Sequence, residues 1–168
     1  MKSNKLALFG GNKTINYKIN KYNSISKEEL KAAQKVIKKG VLSDFIAKDG
    51  KNFFGGKNVI NFENKLKKYF KVKYAISVNS WTSGLIAAFG SINIKPGDEV
   101  ILPTWTMSAC AMSIINWNAI PIFVDIEKNT FNIDPNLIED KISEKTRAIL
   151  AVDIFGHPAN YKKIFTIA

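Results

Sequence analysis

The spacing of hydrophobic residues changes character after Phe70, and the change separates two kinds of structure. In the first stretch, Ser26-Lys27-Glu28-Glu29 has the form of a capping box, in which Ser26 accepts from first-turn amides and Glu29 reaches back. A helix is therefore predicted from there to Gly40, a residue suited to ending one. Between Val41 and Gly56 the apolar residues have no period and Gly50, Gly55 and Gly56 interrupt them, which predicts a loop carrying exposed phenylalanines. Val59, Phe62, Leu66 and Tyr69 then recur at helical spacing, predicting a helix over 58–70.

Beyond Phe70, short apolar runs alternate with helical segments. Strands are predicted at 74–78, 100–102, 120–124 and 148–154, and helices at 82–92, 106–117 and from Asp134-Pro135 to Ile142. Asp134 is suited to the N-cap there and Pro135 to the first turn. Alternation at this pitch predicts right-handed βαβ crossovers, hence an α/β fold with a mostly parallel sheet and helices on both faces. Ligands of such sheets bind beyond the carboxyl ends of the strands.

Composition narrows the class. The chain has 168 residues, 46% hydrophobic and 23% charged, the profile of a globular protein with one respectable core. No stretch approaches the ~20 apolar residues of a membrane span, and the start has no signal-peptide pattern, so no membrane partner and a cytoplasmic location are expected. Cys110 is the only cysteine and His157 the only histidine, so neither a disulfide framework nor a Cys/His zinc site can be assembled and no metal is expected. Cys110 reads as a buried, inert thiol. The net charge of +11 invites nucleic acid, but the lysines are dispersed, Arg147 is the only arginine, and no basic run interleaves with aromatics. No nucleic-acid partner is expected; a phosphorylated metabolite would use the same positive field.

The segments after the strands carry the candidate chemistry. Asn79-Ser80-Trp81-Thr82-Ser83-Gly84 places small and hydroxyl residues at a helix start, either a phosphate cradle donated by first-turn amides with Thr82 and Ser83, or a plain N-cap. Pro103-Thr104-Trp105-Thr106-Met107 puts a large aromatic at the ligand edge, where Trp105 either stacks on a planar ring or packs. Asp153, at the end of the last strand, is either a turn cap or a functional carboxylate.

Several segments share an order and spacing with one family: Phe54-Gly55-Gly56-Lys57-Asn58-Val59, Tyr74 to Ser80 with Thr82-Ser83, Lys95-Pro96-Gly97-Asp98-Glu99-Val100-Ile101, Ala119 to Ile126, Thr130 to Pro135, and Phe155-Gly156-His157-Pro158-Ala159. From about Phe9 to the last residue the chain resembles the DegT/StrS aminotransferases. The resemblance implies a fold-type-I PLP-dependent transferase, usually a homodimer, that uses pyridoxal 5'-phosphate and commonly glutamate to convert a nucleotide-linked keto-sugar into an amino-sugar. Residues 1–60 would form an N-terminal arm, helix and substrate-side loop, and 61–168 the first part of the PLP-binding large domain, incomplete at the C-terminus. By position, Thr82 and Ser83 would hold the PLP phosphate, and Trp105 or Met107 would pack on its ring. Phe53, Gly55, Gly56, Asp153 and His157 would lie on the substrate side. The chain departs from the family at Trp81, where glycine is usual, at Asp153, where histidine is frequent, and at His157, where glutamine is common.

The resemblance also places the Schiff-base lysine and the aspartate that pairs with the pyridine nitrogen downstream of the segment matching Pro158–Ala168. Chemistry needs the lysine as covalent anchor and proton carrier, and the aspartate to keep the ring protonated. Lys162 and Lys163 fall on a surface helix and do not replace it. The expectation is therefore an aminotransferase fragment that does not transaminate. A PLP-dependent sugar dehydratase of the same family, or a non-catalytic dimerising or binding remnant, are the alternatives.

Overall fold

The computed structural model describes residues 5–50 and 53–168. They divide into two compact units, one extending to Lys73 and the other spanning Tyr74–Ala168.

In the first unit, α1 (Lys27–Lys39) starts on the predicted capping box. The Ser26 hydroxyl accepts from the Glu28 amide at 3.2 Å, and the Ser26 amide donates to the Glu29 carboxylate at 2.6 Å. The Ser26 hydroxyl also donates to that carboxylate at 2.6 Å, and this bond, followed by the one from the amide, holds the Glu29 carboxyl below its ordinary value. Gly40 ends the helix in the left-handed conformation that glycine adopts without a Cβ penalty. The second helix, α2 (Lys57–Phe70), covers the predicted segment. Neither helix buries a residue.

The second unit contains α3 (Trp81–Ser91), β1 (Glu99–Pro103), α4 (Ser108–Ile115), β2 (Ile120–Val124), β3 (Thr146–Ile149) and α5 (Tyr161–Ile167). The three strands are parallel in the order β2-β1-β3, so the α/β class with a parallel sheet and flanking helices holds. Strand alternation sorts the central strand onto two cores. Val100 and Leu102 face Leu85 and Phe89 of α3 and Ile114 of α4, whereas Ile101 faces Ile133, Ile138 and Ile164 of α5. All three β1 residues are fully buried, as expected for a strand covered on both faces. The ladder between β1 and β3 shifts register after Glu99, which pairs with Thr146 while Val100 pairs with Ala148. Arg147 is the residue passed over, and its guanidinium meets Asp98 at 3.5 Å.

Three predicted elements differ. Residues 74–78 form no strand among the described residues, although the composition is that of a strand: a strand exists through a paired neighbour, and the sheet described contains β2, β1 and β3 alone. The helix predicted from Asp134 to Ile142 is two 3₁₀ turns, Pro135–Leu137 and Glu139–Lys141. Asp134 does cap it, accepting from the Asn136 amide at 2.9 Å, and Pro135 does fill the first turn. The Asn136 side chain bonds locally to the Asp134 carboxylate at 2.8 Å, and Ile138 turns wholly into the core between the turns. The last strand ends at Ile149 rather than Ile154, with one more bond from the Leu150 amide to the Ile101 carbonyl at 2.7 Å.

Where α3 meets α4, Trp117 donates from its indole nitrogen to the Ile86 carbonyl at 2.9 Å. A Cβ on Gly90 would lie 2.7 Å from the ring's Cζ2 and 3.1 Å from Cη2. Gly90→Ala gains about 1 kcal/mol of helix propensity but overpacks a pinned ring at ~1–3 kcal/mol. A net loss of stability is expected in urea unfolding; a variant as stable as the parent would show that the indole yields freely.

Candidate functional site

The start of α3 is built by Ser80. Its hydroxyl oxygen accepts from the Ser83 amide at 3.2 Å and lies 3.0 Å from the Ser83 hydroxyl. The plain N-cap that the sequence left open for this segment is thus made by Ser80, and it engages Ser83. The amides of Trp81 and Thr82 also belong to the first turn, where no intrahelical acceptor exists, and the half-buried Thr82 adds a hydroxyl beside them. This donor set suits an anion. The Trp81 indole lies along the helix: a Cβ on Gly84 would sit 3.2 Å from Cε3.

The segments that follow the three strands come together at one edge of the sheet. After β1, Trp105 stands 6.0 Å from Phe131, ring centroid to centroid. Met107 is the N-cap residue of α4 and more exposed than Trp105. Thr106 donates to the buried Cys110 sulfur at 3.1 Å, in keeping with a packed thiol. After β2, a tight loop closes through the antiparallel bridge of Ile126 with Ile133. The Glu127 amide donates to the Asn132 carbonyl at 2.8 Å, and Phe131 takes φ 62°.

After β3, Asp153 behaves as the turn cap. One carboxylate oxygen accepts from the Ala159 amide and from the Tyr161 hydroxyl, each at 2.9 Å. Burial, followed by the bond to Asp153 and its charge, raises the Tyr161 phenol above its ordinary value. His157 is exposed, and its carbonyl accepts from the Asn132 side chain at 3.0 Å. Asn132 also accepts from the Ile154 amide at 3.1 Å, so one side chain with 2% exposure ties the loop after β2 to the loop after β3. Between those bonds lies Phe155 at φ 53°, 6.4 Å from Phe131. The left-handed region costs a non-glycine residue roughly 1–2 kcal/mol. Sequence reasoning assigned no individual role to Phe131, Asn132, Phe155 or Tyr161; aromatics flanked by loop residues carried no period to mark them.

Phe53, Gly55 and Gly56 belong to the first unit. Both glycines are buried there: a Cβ on Gly55, at φ 93°, would lie 2.7 Å from the Phe45 ring, and one on Gly56 would lie 2.3 Å from Cβ of Asp44. Phe53 is exposed and meets Phe54 edge-on at 5.1 Å. Gly56 lines a cavity of about 160 Å³ with Val36, Val41, Phe45 and Asn58. Among the described residues no group of three or more His, Cys, Asp or Glu side chains is placed to hold a metal ion. No helix among them is long and apolar enough to cross a membrane.

The order of these segments matches a known sequence pattern over residues 24–168, that of the DegT/DnrJ/EryC1/StrS aminotransferase family. The chain belongs to this family. It is 39% identical over 113 residues to the GDP-perosamine synthase of Escherichia coli O157:H7, covering 67% of this chain and 31% of that protein. To the spore coat polysaccharide biosynthesis protein SpsC of Bacillus subtilis it is 34% identical over 144 residues, covering 86% of this chain and 34% of the relative. Among solved structures, the aminotransferase from Psychrobacter cryohalolentis superposes with a TM-score of 0.77 at 28% identity, covering 89% of this chain and 35% of that one. The E coli GDP-4-keto-6-deoxy-D-mannose-3-dehydratase with bound hydrated PLP does so with a TM-score of 0.74 at 27% identity, covering 87% and 36%. This DegT/DnrJ/EryC1/StrS chain spans about a third of the length of these relatives.

Proposed function

We propose that this chain forms the cofactor-seating part of a PLP-dependent aminotransferase acting on a nucleotide-linked keto-sugar, with an amino donor such as glutamate and a homodimeric complete enzyme. The observation that carries the reading is the first turn of α3, where Ser80 caps the helix through the Ser83 amide and the Trp81 and Thr82 amides have no intrahelical acceptor, a donor set that suits a phosphate. Relatives whose names specify a substrate support the sugar class, among them the UDP-2-acetamido-2-deoxy-3-oxo-D-glucuronate aminotransferase of Pseudomonas aeruginosa. PLP, when bound, supplies the electron sink for the amino transfer.

Within this reading, Thr82 holds the phosphate, Ser83 contributes only its hydroxyl because its amide is held by Ser80, and Met107 rather than Trp105 packs on the cofactor ring, because Trp105 is already paired with Phe131. Asp153 fixes the loop after β3 through Ala159 and Tyr161, and that loop carries His157 on the substrate side. Within the same proposal, the 168 residues by themselves bind the cofactor without transaminating. A sugar dehydratase is the second reading, favoured by the dehydratase among the structural neighbours.

Each dipole contact at a helix start contributes roughly 0.3–1 kcal/mol, against ~4 kcal/mol or more for immobilising a ligand. Weak PLP binding is therefore expected in an absorbance titration, with no borohydride-stable adduct at a single lysine; such an adduct would overturn the non-transaminating reading. Thr82→Ala is expected to weaken PLP binding more than Cys110→Ala, and equal effects would remove the phosphate assignment.

A further inference from the structure

We propose that Trp105, Phe131 and Phe155 form a preorganised aromatic corner that takes the C–H face of a sugar's pyranose ring, an inference that rests on the sugar-substrate reading above. Each ring comes from the segment after a different strand, β1, β2 and β3 respectively, so the corner stands at the carboxyl edge where open parallel sheets bind ligands. The rings are in sequence, Trp105 to Phe131 at 6.0 Å and Phe131 to Phe155 at 6.4 Å. They remain 52%, 41% and 82% exposed.

Burial therefore does not explain the arrangement, and its upkeep is costly. Phe131 and Phe155 both sit at positive φ, a conformation that bulky residues keep only where the surroundings impose it, and such strain concentrates at functional positions. Here Asn132 imposes it, holding the Ile154 amide and the His157 carbonyl on either side of Phe155 while its own carbonyl closes the loop that carries Phe131. Thr130, next to Phe131, spends its hydroxyl on Glu127 at 2.6 Å. Thr130 and Asn132 are thus committed internally, and the corner offers its ring faces.

Ring orientation selects the ligand. Adjacent planes are inclined by 50° and 78°, so neither neighbouring pair forms a parallel slot to clamp a flat base. A pyranose ring presents axial C–H groups in several directions on one face, which inclined π-faces meet together, while its hydroxyls stay in water.

The test uses the 168-residue chain without PLP, UDP-glucose as probe and UDP as comparison, followed by saturation-transfer NMR. The glucose ring protons are expected to receive more saturation than the uridine protons. Trp105→Ala and Phe155→Ala should each weaken UDP-glucose binding roughly two- to tenfold and leave UDP binding unchanged, whereas Phe155→Tyr should keep it. Phe155 is exposed enough that its replacement leaves both cores intact. Saturation confined to uridine, equal affinity for UDP and UDP-glucose, absence of binding, or concentration-dependent self-association through these rings in place of sugar binding would each overturn the proposal. Because PLP is absent, failure of the cofactor reading would appear only in the PLP titration, and failure of the corner only here.

Discussion

Replacing Asn132 with alanine is expected to destabilise the second unit by about 2–4 kcal/mol, an effect out of proportion to the few atoms removed. The side chain is 2% exposed and holds two backbone groups, donating to the His157 carbonyl and accepting from the Ile154 amide. Alanine strands both, and an unsatisfied buried donor or acceptor costs about 1–3 kcal/mol. Asn132→Asp keeps the acceptor for Ile154 but opposes the His157 carbonyl with an oxygen instead of a donor, so it should fall between alanine and wild type only when its carboxyl is protonated. Urea unfolding gives the magnitude, and hydrogen exchange gives the location: the Ile154 amide should lose protection well before the β1 amides. Uniform loss of protection, or a change below about 0.5 kcal/mol of the kind surface substitutions give, would show that Asn132 does not tie the two loops.

Leu102→Ala is expected to cost about 2–5 kcal/mol, the usual range when a fully buried leucine leaves a cavity that its surroundings fill only in part. Leu102 is wholly buried on the central strand, packed with residues of α3 and α4. The collapse needed to close the gap would have to move two helices already fixed by the Trp117 bond to Ile86. Ile120, on the edge strand β2 and 43% exposed, is the control. Ile120→Ala should cost less than half as much in the same unfolding measurement, and equal costs would contradict the layered core.

Much of the fold was legible locally. The capping box at Ser26, the stop at Gly40, the proline turn after Asp134 and the bounds of β2 all appeared where the residues predicted them, because each depends on a few adjacent side chains and their backbone. Family membership was legible for a related reason: it lies in the order of motifs along the chain. Hydroxyls at the start of α3 were legible as a class, yet Ser80 rather than a later residue makes the cap, a choice that depends on backbone geometry at the turn.

What the tertiary structure decided was every question with a distant partner. An apolar run such as 74–78 has the composition of a strand, but a ladder requires a neighbour at the right place. The helix predicted after Asp134 gave way to two 3₁₀ turns because Ile138 is drawn fully into a core also built by Ile101 and Ile164. Trp105 was drawn to Phe131 rather than left at large, and the polar Asn132, which by itself reads as a turn residue, became the joint between loops 22 residues apart. Sequence alone determined the local periods, caps and motif order, since those energies are set within a turn or two of chain. Pairing, burial and the meeting of three aromatic rings belong to the tertiary structure, since those energies arise only when segments far apart in sequence share one surface.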